Sequence, residues 1–237
     1  MTAWLLGAAV VFGAHFVFGL AGFGVGLVAM AFLPFLMTAT NAVVLMTVYA
    51  MIFTVVLFVP LRRDFEPRAI GGLLLGSILG TPAGVWILAV APASLLNRLI
   101  GVMLIVVVAL EFSGRFPRLT APGWGVGAGV LSGVIGGAVG LPGPPVVVYA
   151  ASRGWSPRTF KANMQGFFIV NQAVIVGGYW MAGLITPEVV RLTGSYLIPA
   201  LAGTLLGMSL FNRVDPVRFR KVVFVLLFGS GLALLFG

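Results

Sequence analysis

"GGAVGLPGPP" (136–145) sets four glycines and three prolines in ten consecutive positions of an otherwise apolar stretch. Relative to alanine, interior glycine costs about 1 kcal/mol and proline about 3 kcal/mol of helix stability. A continuous helix is therefore not expected there. A second apolar stretch carries a related pattern: "GLAGFGVGL" (19–27) aligns with "GVIGGAVGL" (133–141) at an offset of 114. The alignment sets Gly19, Gly22 and Gly26 against Gly133, Gly136 and Gly140. Further matches pair "GTPAG" (80–84) with "GTLLG" (203–207), and "LLNRLIG" (95–101) with "RFRKVVF" (218–224). The chain reads as two related halves, 1–116 and 117–237, each a membrane repeat.

The composition says where those halves reside. Of 237 residues, 60% are hydrophobic and only 8% charged, with mean hydropathy +1.15; soluble domains carry about 25% charged residues. The expected class is an all-α polytopic membrane protein, a single integral domain with no soluble one. Apolar runs punctuated by charge, Pro and Gly give eight blocks: 3–36, 42–60, 69–90, 94–112, 123–150, 161–182, 189–211 and 217–236. Six suit a single crossing. The first and fifth are too long, since about 30 helical residues would run ~45 Å against a hydrocarbon core of ~30 Å.

The formal charge of +9 arises from 14 Lys and Arg set in short loops. That placement follows the positive-inside rule and does not make a nucleic-acid surface. Without cysteine, thiolate metal sites, disulfides and thiol catalysis are excluded. Met1 to Phe12 carries no charge, so the start reads as a membrane segment and not as a cleaved signal peptide.

Loop charges decide whether the halves run parallel or inverted. The loop 61–68 carries Arg62, Arg63 and Arg68; 113–122 carries Arg115 and Arg118; 151–161 carries Arg153, Arg158 and Lys161. The loop 212–221 carries Arg213, Arg218, Arg220 and Lys221, whereas 37–41 and the C-terminal end carry none. The loops 91–98 and 183–191 carry one each, Arg98 and Arg191. With the rich loops cytoplasmic, block five must enter and leave on one side, as a re-entrant hairpin or as two short broken helices. Block one then does the same from the opposite side. The expected topology is two inverted repeats with both termini periplasmic, each repeat opening with a Gly-rich broken or re-entrant helix followed by three transmembrane helices.

Irregular backbone at membrane depth survives only where protein or a water-filled cavity covers it. In inverted-repeat transporters such breaks form the substrate site, where half-helix N-termini meet anionic groups. Gly22, Gly24 and Gly26, with Gly136, Gly137 and Gly140, are the candidate substrate-binding backbone. For Gly72, Gly76 and Gly80 close helix packing is the better reading, and Pro144 and Pro145 serve to re-aim the chain. All five acids (Asp64, Glu66, Glu111, Glu188, Asp215) fall in loops or at a block end, which disfavours a cation path. Block six supplies the amides: Asn163, Gln165, Asn171 and Gln172, with Lys161 at the pathway mouth. At about 100° per residue, Lys161, Gln165, Gln172 and Tyr179 share one stripe, which reads either as packing glue or as an oxyanion path. Block two holds sparser counterparts, Asn41, Thr47, Tyr49 and Thr54. His15 reads either as a packing residue or as a proton-coupling or substrate-contacting group.

The paired motifs "GLAGFGVG" and "GVIGGAVGLPGPP", opening two related four-block halves, resemble the sulfite exporter TauE/SafE family of bacterial membrane proteins. The resemblance covers nearly the whole chain. It implies transport of small anions, notably sulfite and organosulfonates such as sulfoacetate, across the inner membrane, with export the usual direction. This chain has "LPGPP" where the family pattern has a glycine run followed by one proline. The sequence-level reading is a secondary carrier for a small sulfur oxyanion or carboxylate, held between the two broken segments and moved by alternating access; the alternative is a passive anion channel. No cofactor or metal is called for, and no acid–base pair or Ser/His/Asp arrangement suggests an enzyme. The expected partners are the anion and the lipid bilayer, and a homo-oligomer is compatible with these features.

Overall fold

A computed structural model of the chain describes residues 2–22, 24–113, 121, 123–210 and 216–236. Among them the regular structure is helical, with no strand: α1 (Thr2–Ala21), α2 (Val25–Phe32), α3 (Ala39–Phe58), α4 (Gly71–Val90), α5 (Ala93–Ser113), α6 (Trp124–Val139), α7 (Gly143–Ala151), α8 (Pro157–Met181), α9 (Pro187–Leu210) and α10 (Pro216–Phe236). Arg115, Arg118, Arg213, Asp215 and Gly237 lie outside the described residues, as do the side chains of Glu111, Arg218, Arg220 and Lys221.

Each apolar block of the sequence becomes helix, and the two overlong ones are split. The first yields α1 and α2, separated at Gly22–Gly24; the fifth yields α6 and α7, separated at Gly140–Pro142. Among the described residues, five stretches are long and apolar enough to cross a membrane: Trp4–Ala21, Ala39–Asp64, Pro67–Val90, Ala93–Leu110 and Pro187–Leu210. The two split blocks differ here. With 20 residues α1 reaches crossing length by itself, whereas α6, at 16 residues, spans only ~24 Å at ~1.5 Å per residue.

Helix starts follow local capping chemistry. Thr38 Oγ1 accepts the Asn41 N–H at 3.3 Å and opens α3. Ser156 Oγ accepts the Thr159 N–H at 3.2 Å, and Pro157 occupies the first helical position of α8. That cap starts α8 four residues before the apolar run at 161, which places Arg158 and Lys161 inside the helix rather than in a loop. The basic stretch read as loop 61–68 is also ordered, as short 3₁₀ turns at Val59–Asp64 and Pro67–Ile70.

The chain folds into two compact units, and each draws on both halves of the sequence. One comprises Met1–Met46, Ala91–Ser113 and Ile185–Gly237; the other comprises Thr47–Val90 and Gly114–Leu184. In the first unit α1 packs on α9, and α5 on α10. A Cβ on Gly203 would strike Phe12 O, one on Gly207 would strike Phe16 O, and one on Gly19 would meet Thr204 O and, at 2.9 Å, Met208 N. In the second unit α4 packs on α6. Gly76, Gly80 and Gly84 face the carbonyls of Val126, Val130 and Val134, while Gly129 and Gly133 face those of Leu73 and Ser77.

Lipid is as apolar as leucine, so helix association in a membrane rests on such close approach rather than on apolar burial. The same device recurs: a helix that precedes a break lies against a glycine-rich helix from the other half of the sequence. Buried hydroxyls return to their own helix, as Thr81 Oγ1 donates to Ser77 O at 2.7 Å and Thr204 Oγ1 to Ala200 O at 3.0 Å. Large apolar side chains, among them Leu79, Trp86, Met181 and Ile198, stand exposed on the outer faces.

Replacing Gly80 or Gly133 by valine should lower the thermal midpoint of detergent-purified protein, because overpacking costs ~1–3 kcal/mol or more where backbone blocks relief. Gly127→Ala, whose added methyl meets nothing within 4 Å, should leave the midpoint unchanged or raise it. Equal behaviour of the three variants in fluorescence-detected thermal unfolding would refute the backbone-contact account.

Candidate functional site

The α6–α7 break is held by three groups of its own unit. Gly140 adopts φ +71° and its N–H donates to Gly136 O at 3.0 Å, closing the end of α6. Two turns earlier, Ser132 Oγ reaches forward and donates to Pro142 O at 2.6 Å. From α8, the Tyr179 hydroxyl donates to Gly137 O at 2.8 Å and to Gly136 O at 3.3 Å. The last carbonyls of a helix have no intrahelical donor, and here a buried phenol supplies it. The Thr47 side chain hydrogen-bonds the same phenol.

Proline shapes the other side of the break. α7 begins Gly143-Pro144-Pro145, so its first turn tolerates the rings but loses two of the N–H groups a helix N-terminus normally presents. With the Gly140 N–H already engaged, few backbone donors remain at this break. Side-chain amides stand beside it instead. On α8, Phe168 Cζ lies 3.8 Å from where a Cβ of Gly143 would sit, and Ile175 Cδ1 lies 2.9 Å from that of Gly136. Together with Tyr179 these residues define the face of α8 turned to the break. At about 100° per residue, Gln172 and Asn171 flank that face, roughly 40° and 60° to either side of Phe168.

Both amides are buried, Asn171 fully and Gln172 to 5% exposure. Among the described residues, neither Asn171 Oδ1 nor Nδ2 has a hydrogen-bond partner, and Gln172 Oε1 has none. An unpartnered buried polar group costs ~1–3 kcal/mol, a standing penalty a purely structural position does not require. Asn163 is only half engaged, its Nδ2 also lacking a partner among the described residues. It projects from another face of α8, and its Oδ1 accepts the Glu66 N–H at 2.8 Å, tying the basic loop to the helix. Phe65 from the same loop lies against Gly166. Gln165 is buried at 2% exposure on the third turn of α8, and Lys161 is half-buried one turn before it. Tyr49 is fully buried on α3 with its ring 6.0 Å from that of Phe53.

The first unit carries the other break. Gly22 and Gly24 take φ +80° and +89°, a region that L side chains avoid, and the Gly22 N–H donates to Phe18 O at 2.7 Å. Gly24 caps α2, whose first turn holds Val25, Gly26 and Leu27 without any proline. Here the first-turn N–H groups are all present, unlike at α7. His15 lies within α1 and is fully buried; its Nδ1–H donates to Val11 O at 2.9 Å, one turn back on its own helix. Asn41 sits in the first turn of α3, partly exposed.

Sequence reasoning placed Tyr179 on the polar stripe without its partners and missed Ser132. Their signal was a phenol and a hydroxyl in apolar helices; which carbonyl each would reach depends on where the chain turns.

Tyr179→Phe and Ser132→Ala each strip a donor from a buried carbonyl at the break and should each cost ~1–3 kcal/mol of stability, read as a lowered thermal midpoint. Wild-type midpoints for both would show that the break does not depend on them.

The profile of the family described as Sulfite exporter TauE/SafE matches residues 6–234 of this chain. The chain therefore belongs to that family and is a multi-pass membrane protein. Comparison with curated proteins and with solved structures finds no match.

Proposed function

We propose that this TauE/SafE family member is a secondary carrier of a small sulfur oxyanion or related organic anion, with its anion site at the α6–α7 break. The observation that carries the reading is Asn171, buried with its Nδ2 donor unpartnered among the described residues beside the face of α8 that packs against that break; Gln172 flanks the same face on its other side. Amide N–H groups donate to an oxyanion without the desolvation cost of burying a cation. Gly136, Gly137 and Gly140 act by shape: they let the chain turn and bring Tyr179 against it. Gln165 and Lys161, about two and three turns nearer the basic loop, line the approach. At the α1–α2 break the donors are backbone N–H groups around Gly22, Gly24 and Gly26. His15 is the group through which proton coupling runs, if protons are the driving ion; Asn41 and Tyr49 line α3 as secondary contacts.

The two halves, 1–116 and 117–237, are inverted repeats in this proposal. Reciprocal packing supports it, since α1 lies on α9 as α6 lies on α4. So does tryptophan placement: Trp124 and Trp155 adjoin arginine-rich segments, while Trp4, Trp86 and Trp180 stand at arginine-poor ends, as expected for belts at the two interfaces. Both termini are then periplasmic, in a bacterial inner membrane, and net movement is export by alternating access.

Purified protein in liposomes should show saturable uptake of labelled sulfite with counterflow. Asn171→Leu should weaken it roughly tenfold or more, because a hydrogen bond to a charged group contributes ~1.5–3 kcal/mol. The same variant should melt no lower than wild type, since it removes unpartnered polar atoms. Undiminished transport by Asn171→Leu would remove α8 from the site, and unitary currents in a planar bilayer would replace the carrier with a channel. A reporter fused at Gly237 should read periplasmic; a cytoplasmic signal would refute the inverted topology.

A further inference from the structure

The second unit carries a pocket that the transport reading does not use. It measures about 380 Å³ and is lined by Val59, Pro60, Arg62, Arg63 and Arg158. Three arginines, of which Arg63 and Arg158 stand 95 positions apart in the chain, line one concavity. One is partly neutralised: Nε and Nη2 of Arg158 both reach Asp64 Oδ2 at 3.2 Å. Three arginines less that one carboxylate leave an excess of two positive charges. Like charges gathered in this way repel one another unless an anion joins them.

The pocket is also continuous with lipid-facing surface. Ile52, Val55, Val56 and Val59 are all exposed, and their spacing of i, i+3, i+4 and i+7 makes one stripe along the last turns of α3. The stripe ends at Pro60, on the pocket wall. We propose that this pocket binds the headgroup of an anionic phospholipid, its phosphate gripped by Arg62 and Arg63 and its acyl chains laid along the α3 stripe. Guanidinium forks match phosphate oxygens two at a time. The volume far exceeds that of a sulfite-sized oxyanion, and the apolar wall formed by Val59 and Pro60 suits glycerol and the first methylenes. A free phosphate would share the arginines but would gain nothing from the stripe. The site is independent of which anion the protein carries.

Asp64 makes the proposal testable in sign. As a competing carboxylate, it holds Arg158 away from the lipid phosphate. Full-length protein in neutral detergent is titrated with phosphatidylglycerol, with phosphatidylcholine and with inorganic phosphate, and bound lipid is counted by native mass spectrometry. Wild type should retain phosphatidylglycerol about tenfold or more over phosphatidylcholine, and inorganic phosphate at matched ionic strength should not displace it. Arg62→Gln/Arg63→Gln, at exposed positions, should abolish that preference, and Asp64→Asn should strengthen it several-fold. Equal retention of the two lipids by wild type would overturn the site, as would displacement by inorganic phosphate. So would an Asp64→Asn variant that melts lower without gaining lipid, because the cluster would then be only a clasp between the loop and α8.

Discussion

Hydrocarbon offers no partner to a backbone N–H or C=O, and the two helix breaks described above meet that constraint in different ways. The α6–α7 break is tolerable because three donors converge on it: the Gly140 N–H, the Ser132 hydroxyl and the Tyr179 phenol. The break at Gly22–Gly24 is made with two glycines of positive φ. Once those groups are settled, neighbouring polar atoms can be left for a ligand. Asn171, buried with no hydrogen-bond partner for either amide atom among the described residues, is the residue proposed for that role.

The two breaks solve one problem with different chemistry. At α2 the first turn keeps its N–H groups; at α7 Pro144 and Pro145 remove two of them. In the proposed site an anion at the second break is held by side chains, and Asn171 and Gln172 of α8 flank that break. Under the proposed function, backbone donors in one half and amide donors in the other would serve the same anion.

Much of this was legible in the sequence, and the reasons are local. Glycine and proline at 136–145 announce a broken helix because their backbone costs do not depend on neighbours. Gly76 and Gly80 were readable as packing glycines because small residues four apart form one helix face. The fate of each amide was not readable. Asn163 and Asn171 are both buried on α8 with their Nδ2 unpartnered among the described residues, yet the oxygen of one accepts the Glu66 N–H and the oxygen of the other has no described partner; their difference lies in what packs against each face. The true start of α8 was hidden because charged residues masked a helix that Ser156 and Pro157 had already begun. Nor could spacing alone show that Arg62, Arg63 and Arg158 meet, or that each compact unit borrows from both halves.

The contact between α4 and α6 bears on how the second unit can move. With Gly76, Gly80 and Gly84 set against carbonyls of α6, and Gly129 and Gly133 set against carbonyls of α4, the two backbones mesh like a rack and pinion. Sliding by a fraction of a turn would drive a carbonyl into the space where a glycine hydrogen now sits. The pair must therefore travel as a single rigid lever, or else jump a full helical turn of about 5.4 Å. The break at the end of α6 is fastened to one arm of that lever.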